Sequence, residues 1–151
     1  MGNRRFLLTA LLVLLPALVT ACGKPGAPVG KWEGGADRDG TMVAARMEVL
    51  AGGQVRVMAP DVTNVTGTAR QVALMRDRLA SELATNWDSV APRPFDFDGK
   101  TFRKPGGIAP QMVWDKATGQ MTLMLYIGAR PAFPVPLRPV DSFHDNPWAQ
   151  T

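Results

Sequence analysis

The apolar residues between Thr68 and Val90 recur at a helical period, unlike those in the rest of the chain. Residues three or four apart share one face of a helix, so this spacing predicts one amphipathic α-helix. Pro92 and Pro94 follow and predict where it ends. An apolar stripe must be covered, and in one small domain the available partner is a sheet. The stripe consists of Val72, Met75, Leu79, Leu83, Trp87 and Val90.

Alternating segments around the helix predict that sheet. In residues 41–50 the odd positions are mostly apolar and the even ones include charges, which indicates a strand with one wet face. Gly52-Gly53 supplies a turn, and residues 54–58 alternate back. The two segments therefore form a predicted β-hairpin.

Two further hairpins are predicted after the helix. Asp98-Gly99 is a favoured turn pair between two Phe-containing segments, and the loop 115–119 is a typical connection that ends in glycine. The strand after this loop, within residues 120–127, has large apolar residues on both faces. We expect it to be a central strand with the helix on one side.

The segment 133–137 alternates cleanly but contains Pro134 and Pro136. Proline cannot donate to a strand ladder, so this segment is a predicted edge strand. The predicted fold is α+β: an antiparallel, curved sheet of about six to eight short strands, barrel-like if it closes, packed with one helix. Residues 30–140 are expected to form a single domain, and residues 141–151 a loose polar C-terminal tail.

The N-terminal residues have the anatomy of an export signal. Arg4 and Arg5 precede an apolar run, 6–19, that Pro16 breaks. The run is shorter than the roughly 20 apolar residues that cross a bilayer as a helix. The five residues that end at Cys22, Leu-Val-Thr-Ala-Cys, resemble the lipobox of bacterial lipoproteins.

The lipoprotein resemblance implies how the chain is processed. Residues 1–21 would be removed as a signal peptide, and Cys22 would carry a diacylglyceryl group and an acyl chain on its amino group. Several acyl chains make a lasting membrane anchor, and residues 22–29 would be its flexible tether. Gly23 stands where inner-membrane relatives have Asp, which favours the periplasmic face of the outer membrane. The alternative is a soluble periplasmic or secreted protein with a chance cysteine.

Charge and cysteine content limit the classes of function. Removing Arg4 and Arg5 from the 17 basic residues leaves 15 against 13 acidic ones, too even a balance to predict a nucleic-acid partner. Because Cys22 is the only cysteine, no disulfide can form within the chain. With one histidine and one cysteine, most zinc, haem and thiol chemistry is excluded, so no metal and no cofactor are predicted.

Gly30 and Trp32 form a G-x-W pattern that resembles the opening of lipocalin-like barrels. The resemblance implies a ring that closes one barrel end and a small apolar ligand inside; a Trp packed beneath a first strand is the alternative. If the sheet closes around a cavity, four large side chains are candidates to line it; core packing is the other interpretation. These four are Trp32, Trp114, Met124 and Tyr126.

The polar candidates are few. The stretches that end at Gly40 and Gly99 read D-x-D-G, which is too short for a calcium loop and fits hairpin turns. Asp96 and Asp98 are a conceivable acid/base pair, and His144 is the one histidine. The alternative for all three is a solvated side chain.

The loop after the second hairpin combines cations with glycine amides and could hold an anion such as phosphate or carboxylate. Its candidate ligands are Arg103, Lys104, Gly106 and Gly107. A solubilising connector is the alternative.

Three functions remain open. The first is a lipid-anchored, non-enzymatic module that binds an envelope protein or a small apolar ligand. The second is an envelope hydrolase that uses Asp96, Asp98 or His144. The third is a structural lipoprotein recognised at an exposed strand.

Overall fold

The computed structural model describes residues 26–128 and 132–148. The predicted signal peptide, the lipid acceptor Cys22 and the first part of the tether lie outside the described residues. The described chain forms ten strands and one helix, which continues into a turn of 3-10 helix. These elements are β1 (Gly30–Arg38), β2 (Thr41–Val49), β3 (Gln54–Met58), β4 (Asp61–Val62), α1 (Ala69–Asn86) with its 3-10 turn (Trp87–Ser89), β5 (Arg93–Pro94), β6 (Asp96–Phe97), β7 (Thr101–Arg103), β8 (Pro110–Trp114), β9 (Met121–Leu125) and β10 (Phe133–Val140).

The strands form one antiparallel sheet that nearly closes into a barrel. Its path is β5-β3-β2-β1-β10-β9-β8-β7-β6, and β4 pairs with β2 beside this path. The two ends of the path, β5 and β6, are consecutive in the chain and separated only by Phe95, so the sheet returns to itself. The predicted α+β fold is confirmed. The strands outnumber the expected six to eight because β4, β5 and β6 have two residues each.

Apolar side chains fill the interior of the barrel. The odd residues Val43, Ala45, Met47 and Val49 of β2 point inward and are at most 1% exposed, as the alternation predicted. The expected wet face of this strand is wrong, because the helix and the C-terminal segment cover its even residues from Met42 to Arg46, which are at most 5% exposed. Side chains from β1, β3, β7, β8, β9 and β10 complete this interior cluster. They are Trp32, Val55, Phe102, Met112, Met121, Leu123, Val135 and Leu137.

The helix α1 covers the outer face of β2. It begins after Thr68, whose hydroxyl accepts from the Gln71 N–H while the Gln71 side chain accepts from the Thr68 N–H. Leu79 and Leu83 are buried against Met42 of β2, so the predicted helix and its apolar stripe are confirmed. Among the described residues, no helix is long and apolar enough to cross a membrane.

The helix does not lie beside the strand for which it was expected. That strand, β9, is central as predicted, between β8 and β10. Its outward residues Thr122 and Met124 are half-buried, but α1 packs on β2 instead. The apolar pattern of one strand shows that its faces are partly covered, and cannot show which element covers them.

The predicted edge strand is wrong, because β10 lies inside the sheet between β9 and β1. Its residues 133–137 pair with β9 and its residues 138–140 with β1. Successive residues of a strand direct their N–H and C=O groups to opposite sides. Pro134 and Pro136 lie two positions apart, so both present their nitrogens to the same side of β10, and the paired register with β1 does not extend to either of them. The prolines are tolerated because this half of the strand has a ladder on one side only.

The C-terminal segment (residues 141–148) packs on the outer face of β1 and β2 and is not the loose tail that its polarity predicted. Pro147 is buried, and Trp148 packs with the residues beneath the helix. The backbone N–H of His144 donates to Glu33, 111 positions earlier in the chain. Such a long-range partner for a polar residue cannot be recognised from local polarity.

Candidate functional site

Three charged side chains lie in one row across neighbouring strands. Glu33 of β1 pairs in register with Arg46 of β2 on one side and with Arg138 of β10 on the other. Because Trp32 next to Glu33 points inward, the row lies on the outer face. Glu33 and Arg46 are nevertheless only 0% and 5% exposed, since the C-terminal segment covers them.

The carboxylate of Glu33 has partners on both oxygens. The His144 backbone N–H donates to Oε2 at 2.9 Å, and Nδ1 of the same histidine lies 2.5 Å from Oε1. Nη2 of Arg138 also donates to Oε1, at 3.1 Å. A buried charge requires such compensation, because an unpaired one is strongly destabilising. These residues and Arg46 are named the Glu33 site.

Arg46 holds the C-terminal segment from the other side. Its Nη2 donates to the His144 carbonyl at 2.7 Å, and its guanidinium lies 5.1 Å from the ring centroid of Phe143. The Lys31 ammonium lies 5.6 Å from the same ring. Nε of Arg46 is buried and has no hydrogen-bond partner. One cation–π contact and one hydrogen bond therefore hold a nearly buried arginine in place.

A second charged row ties the end of the helix to the same face. Arg56 of β3 pairs with Glu48 of β2 at 3.3 Å and donates to the carbonyls of Trp87 and Val90. A cation is favourable at these C-terminal helix carbonyls. The Trp87 ring packs edge-on against Phe143, with centroids 4.8 Å apart. The helix end and the C-terminal segment thus meet over one charged surface.

An open groove of about 570 Å³ runs beside the Glu33 site. The His144 side chain is 50% exposed and that of Arg138 27% exposed, and both line the groove with Lys31, Asp141 and Val29. Three of the four polar side chains, those of Lys31, Arg138 and His144, carry nitrogen atoms that can donate hydrogen bonds. The arrangement can hold an anionic group by charge and hydrogen bonding.

The structure does not bring together the residues of the hydrolase hypothesis. Asp98 accepts hydrogen bonds from the side chain and backbone of Thr101. These bonds, chiefly that from the Thr101 hydroxyl, hold the pKa of Asp98 well below its usual range, which is unsuited to a general acid. Asp96 is exposed on β6, whereas His144 is bonded to Glu33 on β1.

The two D-x-D-G stretches lie in hairpin turns, as predicted. Asp39 and Gly40 have φ angles of 54° and 70° between β1 and β2. The second turn is shifted by one residue, because the Asp98 N–H donates to the Thr101 carbonyl across Gly99 and Lys100.

Two of the four candidate anion ligands already have partners. Arg103 pairs with Asp98 and donates from Nε to the Ile108 carbonyl. The Gly107 N–H donates to the Lys104 carbonyl at 2.8 Å. Lys104 itself is exposed, as is Gly106.

The four candidate lining residues do not surround a common cavity. Trp32 is 4% exposed, and its Nε1 donates to the Gly119 carbonyl at 2.8 Å. Trp114 packs in the same interior, against Phe97. Met124 lies on the outer face of β9 by its alternation. The fourth, Tyr126, is 47% exposed, and its hydroxyl donates to the Pro110 carbonyl.

Sequence reasoning missed Glu33, Arg46 and Arg138 as a site. Their outward positions on alternating strands are also those of ordinary solvated charges, so the pattern held no signal of burial. The one sequence feature that hints at a buried Glu33 is its position between Trp32 and the glycine pair Gly34-Gly35. Within residues 26–128 and 132–148, no cluster of three or more His, Cys, Asp or Glu side chains is placed to hold a metal ion.

Comparison with protein-family models, with curated proteins and with solved structures finds no match for this chain.

Proposed function

We propose that this protein is a lipid-anchored cell-envelope protein that acts as a non-enzymatic binding module on the periplasmic face of the outer membrane. The observation that carries the proposal is the position of the lipobox. Cys22 lies eight residues before Gly30, where β1 begins. A lipid on Cys22 would therefore hold the barrel next to a bilayer through a short tether.

The filled interior supports binding at the outer surface. Large side chains such as Trp32, Phe102 and Met112 occupy the space in which a barrel of this size would hold a ligand. A lipocalin-like carrier of a small apolar molecule is less favoured for this reason. An envelope protein that contacts the outside of the sheet or helix is the favoured partner class.

The hydrolase hypothesis is less favoured, because Asp96 lies on β6 whereas His144 is bonded to Glu33 on β1, and it has a direct test. Asp96→Asn combined with Asp98→Asn removes both carboxylates while leaving the Glu33 site intact. We expect this variant to complement a deletion strain fully. A folded variant that behaves like the deletion would favour the hydrolase.

The anchor is tested by labelled-palmitate incorporation and membrane fractionation. Cys22→Ser should lose the label and release the protein to the soluble envelope fraction. Ala73→Ser is the matched control, because Ala73 is exposed on α1, away from both the lipobox and the start of β1. Label in the Cys22→Ser protein at the wild-type level would refute the lipoprotein assignment.

A further inference from the structure

One end of the barrel, named the anchor end, gathers the elements nearest the tether. Gly30 pairs with Val49, and Lys31 pairs with Val140, so the start of β1, the turn after β2 and the end of β10 lie together. The loop between β8 and β9 lies at the same end, because Trp32 Nε1 donates a hydrogen bond to the Gly119 carbonyl in that loop.

We propose that the anchor end docks on the bilayer that carries the lipid, with anionic phospholipid headgroups bound in the groove beside the Glu33 site. This inference rests on the proposed lipid anchor. Eight residues extend at most about 28 Å, at roughly 3.5 Å each. The bilayer surface is therefore the nearest large partner for this end.

The chemistry of the anchor end fits a headgroup layer. Val29 is 67% exposed at the mouth of the groove, next to the uncharged turn that contains Ala51. Exposed apolar groups flanked by cations favour the interface of an anionic membrane. Cations outnumber acids here even when the ion pairs Glu33–Arg138, Glu48–Arg56 and Asp98–Arg103 are set aside. The remaining cations are Lys31, Arg93, Lys100 and Lys116, and the remaining acids are Asp115 and Asp141.

The opposite end of the barrel provides a matched control. The strand β8 runs from this opposite end, at Pro110, to the anchor end, at Trp114. The loop between β7 and β8 joins Arg103 to Pro110 and therefore lies at the opposite end. This distal loop carries Ile108, which is 93% exposed, and the exposed Lys104. It has an apolar residue and a cation as the anchor end does, but faces away from the tether.

The first test of docking neutralises single lysines and measures how strongly the protein binds to anionic vesicles. The mature chain with Cys22→Ser is mixed with phosphatidylcholine vesicles, with and without phosphatidylglycerol, and partitioning is measured by co-sedimentation. Lys31→Gln and Lys116→Gln should each lower partitioning to the anionic vesicles about fivefold, the effect of about 1 kcal/mol per cation. Lys104→Gln should leave it unchanged. Equal losses for Lys104→Gln and Lys31→Gln would overturn the proposal.

Orientation is then read in the lipidated protein with an environment-sensitive fluorophore on an introduced thiol. A label at Ala51→Cys should shift to the blue in anionic vesicles and be quenched by brominated lipid, whereas a label at Ile108→Cys should report water. A water-like signal from position 51 in palmitate-labelled protein overturns docking alone. Absence of palmitate, with Cys22 itself taking up the fluorophore, overturns the anchor. Insertion of position 108 would assign the membrane face to the distal loop and refute the proposal.

Discussion

The indole of Trp148 lies directly on Gly35 of β1: a Cβ atom at Gly35 would come within 2.1 Å of Trp148 Nε1. A side chain at position 35 is thus incompatible with the observed position of this ring. The contact fixes the C-terminal segment over the outer face of β1, next to the Glu33 site.

Gly35→Ala should lower the free energy of unfolding by about 1–3 kcal/mol, the usual cost of overpacking. In a Trp148→Ala background the same substitution should have little effect, because the clashing ring is absent. Urea unfolding of the four proteins of this double-mutant cycle measures the coupling. Equal effects of Gly35→Ala in both backgrounds would show that the contact with Trp148 is not the reason why position 35 requires glycine.

Glu33→Ala should destabilise the protein by about 3–5 kcal/mol, because it leaves the Arg138 guanidinium and the His144 backbone N–H without the buried carboxylate that both bond. Asp141→Ala is the control, since Asp141 is an exposed carboxylate of the same region, and should change stability by less than about 0.5 kcal/mol. Urea midpoints give both values. Similar midpoints for the two variants would contradict the assignment of Glu33 as the centre of a buried site.

Leu79→Ala should cost about 2–5 kcal/mol, because Leu79 is 3% exposed between α1 and β2. Leu74 lies on the same helix but is 59% exposed, so Leu74→Ala should have an effect below about 0.5 kcal/mol. Comparing these two variants shows whether the apolar stripe of α1 stabilises the fold or instead binds a partner. An unchanged unfolding midpoint in Leu79→Ala would favour the partner interpretation of the stripe.

Asp98 should make stability depend on pH in the acid range. Hydrogen bonds, first that from the Thr101 hydroxyl, lower its pKa in the folded state. Its contribution to the free energy of unfolding is therefore fully present at pH values above its pKa in the unfolded chain, about 4, and is lost as the pH falls towards its lower pKa in the folded state. Asp98→Asn should destabilise the protein at neutral pH, and the difference from wild type should shrink below about pH 4.

Urea midpoints measured at several pH values test this, with Asp96→Asn as the control on the same hairpin. A difference between Asp98→Asn and wild type that stays constant down to the lowest pH would exclude the proposed linkage.

The sequence by itself determined the local elements of this protein. Helical spacing defined α1, alternation defined β2 and β3, and glycine turns closed the hairpins, because each signal lies within about 20 adjacent residues. The lipobox prediction at Cys22 is local in the same way. These features depend on backbone preference and on which side of an element is apolar.

The tertiary structure decided what covers those elements. Arg138 and His144 reach Glu33 across 105 and 111 positions of the chain, and only the strand order brings them together. The same strand order places β10 inside the sheet despite its prolines, and it leaves β2 rather than β9 for the helix to cover. A charged residue on an alternating strand has the same local pattern whether water or another segment covers it. Burial of Glu33 therefore follows from long-range packing, which local periodicity does not encode.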